Sequence, residues 1–354
     1  MKITRVSHIK LDFDLVAPYT IAYETIGRTT NIIFKVETDS GLTGWGCAAP
    51  DSAVTGETAD EVCIAVDGLI NDLLCGQNPF QIARFINLLK QQTKRGSSAI
   101  AMVDMALHDL LARKAGVPLF QLLGGSKSSI ATSVTIGIVS LVETLAMAEK
   151  LLKEGFSILK LKGGKILEED IEKVLKLRQR YGSGFALRFD ANQGYSVEQS
   201  IEFMERVGNA GIEIFEQPTS QKKDSSLGMA TQAAAVPVMA DESIKTLADA
   251  FRLAANERMD MINIKLMKMG GIFESLHINS VAKAAGIEVM VGCLDECALG
   301  ISAGLHFALS RANIEFADLD GHLDLIDDPF LNLFHLQDGV LYPADEPGLG
   351  RIDL

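Results

Sequence analysis

A chain of 354 residues, 47% hydrophobic and 22% charged, is long enough for a large core and more than one domain-sized unit. Its formal net charge of −13 argues against nucleic acid or an anionic membrane as partner, and no apolar run reaches the length of a membrane span. Cys47, Cys63, Cys75, Cys293 and Cys297 form no CxxC pair and are odd in number, as expected of a reduced, cytoplasmic protein.

The opening MKITRVSHIKLDFDLV alternates like a strand and has no long apolar stretch of the secretory kind. NIIFKVETDSGLTGWG holds two runs joined by Asp39-Ser40-Gly41, so residues 1 to about 50 are predicted to be antiparallel strands. From about 57 to 123 the apolar spacing becomes helical. TADEVCIAVDGLINDLL and SSAIAMVDMALHDLLARKAG carry apolar residues at i, i+3 and i+4, and the second stops at Gly116-Val117-Pro118. Strands followed by helices predict an α+β unit over residues 1–125.

The rhythm then changes. TSVTIGI, ILKLKGG, ALRFDANQG, IEIFEQP, VPVMADES, MINIKLMKMGG, IEVMVGCLDE and IEFADLDG are eight strand candidates, and the first seven lead into helical patterns. Asp190 to Glu216 is 26 residues, Glu216 to Asp241 is 25 and Asp241 to Lys265 is 24, each the length of one strand, one helix and two short loops. This predicts a (β/α)7β-type TIM barrel over residues 126–324. The tail, 325–354, carries a further strand-like piece, GVLYPADEPGLG, expected to pack back on the first unit and complete an α+β cap.

Charged residues cluster at the C-terminal ends of these strands, which converge on one mouth of such a barrel. Lys160 and Lys162 share one face of their strand, where two ammonium groups repel each other. Asp190, Glu216 and Asp241 follow on three successive strands and Lys265 on the next. Three carboxylates around one point require a cation. Oxygen ligands select a hard ion, Mg²⁺ by default or Mn²⁺, and the lack of His or Cys disfavours zinc. Asn192 and Gln217 are either outer partners of this site or turn residues. Lys268, after its strand, reads as a solvated surface residue. The second and sixth strands lie opposite each other in a closed barrel, so a substrate at the metal has a lysine on each side. Lys160 lowers the pKa of its neighbour towards that of a useful base. Together these features describe abstraction of a proton α to a carboxylate.

LKLKGG, RFDANQGY, FEQP, MADES and NIKLMKMGG, in this order and spacing, resemble the enolase superfamily, muconate-lactonising subgroup, over essentially the whole chain. A Lys or His base with Mg²⁺ is an established pairing in that superfamily. The resemblance implies one Mg²⁺ per subunit on Asp190, Glu216 and Asp241, with Lys162 and Lys265 as the acid/base pair. Asp318 and Asp320, in FADLDG, are similar to the Asp-x-Asp with which dipeptide epimerases bind the substrate's α-ammonium; a helix cap or turn is the other reading. The resemblance therefore implies an isomerase acting on a small-molecule dipeptide, and assembly as a homo-oligomer is expected.

Members acting on Ala-Glu carry an arginine in a segment that here reads Ile21-Ala22-Tyr23-Glu24-Thr25. Glu24 in that place, Asp51 in the next loop, and Asp295 with Cys293 in GCLDECALG resemble members that accept cationic dipeptides. Glu24 and Asp51 are otherwise loop residues facing water. Thr135 either lines the pocket or simply suits its strand, and Lys160 is placed among the substrate contacts. An o-succinylbenzoate synthase or muconate-type cycloisomerase uses the same lysine pair, but its substrate brings no ammonium for Asp318 and Asp320. A non-catalytic relative would lack a base or a ligand, and none is missing.

Overall fold

The computed structural model describes residues 1–22, 25–93 and 96–354. Strands β1 (Ile3–Thr20), β2 (Thr25–Thr38) and β3 (Thr43–Ala48) form an antiparallel sheet in the order β1-β2-β3. Alternation along β2 gives the sheet two buried faces. Ile32, Phe34 and Val36 pack into the cap's own core, whereas Ile33 belongs to the core shared with the barrel. The helical part of the cap comprises α1 (Ala59–Ala65), α2 (Asn71–Leu74), α3 (Ile82–Gln92), α4 (Ser97–Ala115) and α5 (Leu119–Leu122).

The α4 helix is the hinge-pin of the packing. Met102 and Ala106 enter the cap core, while Ala101 and Met105 enter the barrel core. Strand β3 lies directly on it because Gly44 and Gly46 have no side chain; a Cβ at Gly46 would sit 2.0 Å from the Met102 carbonyl oxygen. Two buried acids of α4 reach outward. Asp104 accepts from the backbone N–H groups of Ile272 and Phe273. Asp109 accepts from Trp45 N (2.9 Å) and Leu349 N (2.8 Å).

The barrel strands are β5 (Val134–Ile136), β6 (Ile158–Lys162), β7 (Ala186–Asp190), β8 (Ile212–Glu216), β9 (Val238–Ala240), β10 (Met261–Lys265), β11 (Glu288–Gly292) and β12 (Ile314–Asp318). They form one eight-stranded sheet in sequence order, and a parallel bridge from Thr132 to Ala317 brings its two ends together. Helices α6 (Leu141–Lys153), α7 (Leu167–Tyr181), α8 (Val197–Val207), α9 (Asp224–Ala233), α10 (Leu247–Ala255), α11 (Leu266–Met269), α12 (Ile272–Ala285) and α13 (Ala298–Ser310) follow the first seven strands. Among the described residues no α-helix follows the eighth, which leads into a 3₁₀ turn, Gly321–Asp324, so the architecture is (β/α)7β with a cap.

Strand register decides where the charges lie. Lys162 pairs with Asp190, Asp190 with Glu216, Lys265 with Gly292 and Gly292 with Asp318. The charged strand ends therefore stand at one level around the ring. Below them Ile214, Met239, Met261, Met290 and Phe316 fill the interior. The alternate residues Leu159, Leu161, Leu187, Phe189, Ile262 and Ile264 belong to the main apolar core. Lys160 and Lys162 thus look into the barrel.

The tail divides. Strands β13 (Phe334–Gln337) and β14 (Val340–Pro343) pair with β4 (Ile130–Ala131), at the start of the barrel, not with the cap sheet. The last residues do reach the first unit, through Leu119 N to Gly348 O (2.9 Å) and Leu349 N to Asp109.

Candidate active site

At the floor of the mouth, ammonium and carboxylate groups interleave. Lys160 is buried, its Nζ 2.8 Å from Glu216 Oε2, 2.8 Å from Asp318 Oδ2 and 3.2 Å from Asp190 Oδ2. Lys162 Nζ is 2.8 Å from Asp190 Oδ2, and Lys265 Nζ is 2.9 Å from Asp241 Oδ2. Lys268 was expected at the surface and is instead buried, with Nζ on both the backbone oxygen and Oδ1 of Asp241. Its turn, α11, is apolar on all other sides and lies under the cap, which hides a residue that sequence places just beyond a strand. The inward period of β10 also brings Asn263 to the site, donating to Glu216 Oε1 at 2.7 Å. Gly292 on β11 leaves room for it, since a Cβ there would be 2.4 Å from Asn263 Oδ1. Asn263, two residues before Lys265, could have been found from strand alternation alone.

Burial raises the pKa of Asp190, but Lys162 and Lys160 outweigh it and hold the carboxyl below its ordinary range. Asp241, equally buried, is held far lower by Lys265 and Lys268. Glu216 goes the other way, raised by burial and the Asp190 charge. For Lys160, burial favours the neutral form, but Asp318, Glu216 and Asp190 reverse this and raise its pKa well above the usual lysine value. Burial, then the charges of Asp241 and Asp190, pushes Glu242 up to about 7. The floor therefore holds more carboxylates than the lysines balance.

Asn192 donates to Asp190 through its backbone N–H (2.8 Å) and Nδ2 (3.3 Å), and its Nδ2 lies 3.4 Å from Glu242 Oε1. Gln217 faces away from the carboxylates. Its Oε1 accepts from Asp241 N (2.9 Å) and Ser243 N (3.1 Å), so it braces the loop after β9. Both residues adopt left-handed backbone, φ 42° at Asn192 and 33° at Gln217, a conformation that costs non-glycine residues energy and recurs at functional sites. Among the described residues, no three His, Cys, Asp or Glu side chains are gathered as a ready coordination shell, because the lysines draw the carboxylates to themselves. The donor set nevertheless suits a hard cation. It is all oxygen, it is over-supplied with negative charge, and three buried oxygens in it, Asn192 Oδ1, Asn263 Oδ1 and Glu242 Oε2, have no hydrogen-bond partner among the described residues.

Above the floor is a cavity of about 380 Å³ whose lining includes Tyr19, Asp51, Thr135, Cys293, Asp295 and Asp320. Asp318 is held by Lys160 and by Ser133 Oγ (2.6 Å), and its pKa falls to about 2 because Lys160 overcomes burial. Asp320 accepts from the backbone N–H of Thr135 at 2.7 Å. Burial and the Asp318 charge push Asp320 up to about 7. Burial also keeps the Cys293 thiol protonated, with Sγ accepting from Gly321 N at 3.4 Å.

The rim acids are less free than their sequence suggests. Asp51 Oδ1 accepts from Ala53 N (2.7 Å) and Val54 N (2.8 Å), closing its own loop. The Tyr19 hydroxyl donates to the Asp295 carboxylate, 2.7 Å from Oδ1 and 2.9 Å from Oδ2. Asn31 Nδ2 holds the Asp295 backbone oxygen at 3.0 Å. Tyr19 and Asn31 come from the cap, and no local motif links them to Asp295. Glu24 lies outside the described residues.

Residues 5–124 match the mandelate racemase / muconate lactonizing enzyme, N-terminal domain, and residues 143–351 match the enolase C-terminal domain-like family. The chain is 40% identical over 351 residues to an L-Lys-D/L-Arg epimerase of Desulforapulum autotrophicum, covering 99% of each. The substrate-liganded L-Ala-D/L-Glu epimerase of Bacillus subtilis superposes with a TM-score of 0.96 at 36% identity, over 99% of this chain and 98% of that one. The dipeptide epimerase of Methylococcus capsulatus complexed with Mg and the dipeptide L-Arg-D-Lys gives 0.92 at 37% identity, over 99% of each. Through both matched regions, and through relatives that align from end to end, the chain belongs to the enolase superfamily, in its mandelate racemase and muconate lactonizing enzyme branch.

Proposed function

We propose that this protein is a Mg²⁺-dependent dipeptide epimerase, an isomerase that inverts the carbon next to the substrate carboxylate. The observation that carries this is the pair Lys162 and Lys265. They stand on β6 and β10, four places apart in an eight-stranded ring, and both line one cavity with Asp318 and Asp320. A substrate α-carbon between them has a lysine on each face. One lysine, as the neutral amine, takes the α-proton; the other, as the ammonium, returns a proton to the opposite face.

Asp190, Glu216 and Asp241 hold the metal, and Asn192 with Glu242 stands beside them. When bound, Mg²⁺ supplies Lewis-acid stabilisation of the negative charge that grows on the substrate carboxylate as the proton leaves. Asp318 and Asp320 bind the α-ammonium and Lys160 fixes the carboxylate end. Cys293 and Thr135 line the pocket, Thr135 acting through its backbone N–H on Asp320. Asp51 and Asp295, with Glu24, favour Lys or Arg side chains. The relatives named for Lys and Arg dipeptides support that preference. All five cysteines are free thiols, which supports a cytoplasmic location.

The test is incubation with a dipeptide library in D₂O with Mg²⁺, scored by mass for α-deuterium and by chiral analysis for inversion. Incorporation with inversion, abolished by chelation, is expected. A library in which no member exchanges overturns the proposal.

A further inference from the structure

We propose that Lys268 is a positioning residue that locks the Asp241 carboxylate in the orientation that leaves Oδ2 facing the site. This rests on the reading above that Asp241 is a metal ligand. Lys268 stands on the first turn of α11 and is buried, and its Nζ grips both the backbone oxygen and Oδ1 of Asp241. Gln217 Oε1 holds the Asp241 backbone N–H at 2.9 Å. Asp241 is thus held at its N–H, its carbonyl and one carboxylate oxygen, and only Oδ2 turns to Lys265, at 2.9 Å. With the backbone fixed on both sides of its Cα and Oδ1 gripped by Lys268, the side chain loses rotamer freedom that ligand binding would otherwise have to remove.

The turn that carries Lys268 is itself fixed. Gly270 and Gly271 close it at φ 82° and 103°, and Met267 Sδ accepts from Ala49 N at 3.4 Å. The ammonium therefore comes from a rigid element and holds Asp241 from the side away from Lys265. Lys268 does not line the substrate cavity, which Lys265 and Asp241 do. Its role is to act through Asp241, not on the substrate.

Charge alone and positioning predict opposite signs. An ammonium beside a divalent cation repels it, so a mere counter-ion at 268 weakens metal binding, and its removal tightens it. A positioning lysine does the reverse. The experiment is calorimetric titration of Mg²⁺ into the full-length, metal-stripped protein, comparing wild type with Lys268→Met and Lys268→Gln, after each variant's fold is checked by circular dichroism and melting in chelator. Lys268→Met removes donor and charge in a similar volume; Lys268→Gln keeps an N–H donor without the charge. We expect Lys268→Met to weaken Mg²⁺ at least tenfold and Lys268→Gln to recover part of that loss. At saturating Mg²⁺, Lys268→Met should still exchange the α-proton of both stereoisomers, which separates it from the Lys162 and Lys265 variants. If Lys268→Met does not fold, Lys268→Gln decides by the sign of its own change. Wild-type binding with equal or tighter Mg²⁺ in the folded variants overturns the role of Lys268 and leaves the metal site standing. Absence of Mg²⁺ binding by the wild type overturns both.

Discussion

The floor and the rim of one cavity are both acidic, but their acids have different partners. At the floor, Asp190, Glu216, Asp241 and Asp318 face lysine ammoniums at 2.8–3.2 Å and are buried on strand ends or just beyond them. At the rim, Asp51 accepts from two backbone N–H groups of its own loop, and Asp295 from a tyrosine of the cap. Floor charge is shared between carboxylates and ammoniums around the cavity, and in the proposed function it carries the chemistry. Rim charge also shapes the loops that carry it, and in the proposed function it selects the side chain that enters. Breaking the floor should stop the reaction, whereas breaking the rim should change the choice of substrate.

The largest effect is therefore expected at the floor. Lys162→Ala and Lys265→Ala should each lower epimerisation by about 10³-fold or more, within the range set by loss of a general acid or base. Each variant keeps a base on one face, so each should still exchange the α-proton of one stereoisomer. Equal exchange of both isomers by both variants would break the two-base reading. Asp190→Asn, Glu216→Gln or Asp241→Asn should lose Mg²⁺ affinity and turnover together, and full activity after exhaustive chelation would remove the metal from the site.

The next effect tests the seam that holds the rim over the floor. Asp104, buried in α4, is the cap's contribution to the N-terminus of the barrel helix α12, where it satisfies Ile272 N and Phe273 N. Asp104→Ala leaves the buried Ile272 N–H and the half-buried Phe273 N–H without their acceptor and should lower unfolding free energy by about 3 kcal/mol. Urea denaturation measures it. Below the unfolding range, kcat should stay near wild type while KM rises, because the lysines remain in place and only the cap is loosened. A fall in kcat with KM unchanged would show that the cap orders the floor as well.

The same contrast explains what the sequence made readable. Floor residues sit on strands whose period of two and parallel register place charge at one level, so Lys162, Asp190, Glu216 and Lys265 could be assigned to a common mouth from spacing alone. Lys268 was misplaced because burial of α11 depends on the cap above it, which no local pattern records. Gln217 has a left-handed backbone and its carboxamide on the next loop, where Oε1 accepts from Asp241 N, a contact between two βα loops that no local pattern records. At the rim, Tyr19 and Asp295 are 276 positions apart and meet only because the cap docks on the barrel. A charge count from sequence sees Asp51 and Asp295 but not the N–H and O–H groups that already occupy them.

Acid should expose the rim at His322, in the 3₁₀ turn after Asp320. Burial drives its pKa down to about 4, against a weaker opposing hydrogen bond to the Leu319 backbone, and Nδ1 has no partner among the described residues. The folded ring stays neutral where the unfolded ring, at its ordinary value of about 6.5, takes a proton. Below that pH the unfolded chain binds more protons, so this group's contribution to stability falls as pH drops from about 6.5 to about 4. At pH 5 the difference is about 2 kcal/mol. Glu296 and Asp320, both pushed up to about 7, act with the opposite sign, so the measurement is a difference between proteins. His322→Gln should gain about 2 kcal/mol on wild type between pH 7 and pH 5, read from urea midpoints. Parallel curves would show that His322 takes up its proton alike in the folded and the unfolded chain.

The smallest effect concerns which side chain the rim admits. At the cavity wall, burial pushes the Asp295 carboxyl up and the Tyr19 hydrogen bond opposes this, while Tyr19 itself orients the group without giving up its proton, since burial and the Asp295 charge keep the phenol protonated. A Lys or Arg side chain reaching this wall gains a charge-assisted hydrogen bond, worth about 1.5–3 kcal/mol before desolvation is counted. A Glu side chain meets like charge. Dipeptides bearing Lys or Arg should therefore exceed Ala-Glu in kcat/KM by about tenfold or more, since about 1.4 kcal/mol is tenfold. Asp295→Asn should remove most of that margin. Asp51→Asn should remove less, because Asp51 Oδ1 is already engaged by Ala53 and Val54, and an Asn oxygen can accept the same N–H groups and keep the loop closed. High salt should shrink the preference where the rim meets solvent. A screen in which Ala-Glu outperforms every basic dipeptide would show that the rim carboxylates serve only their loops, and that the division between a chemical floor and a selective rim has been drawn in the wrong place.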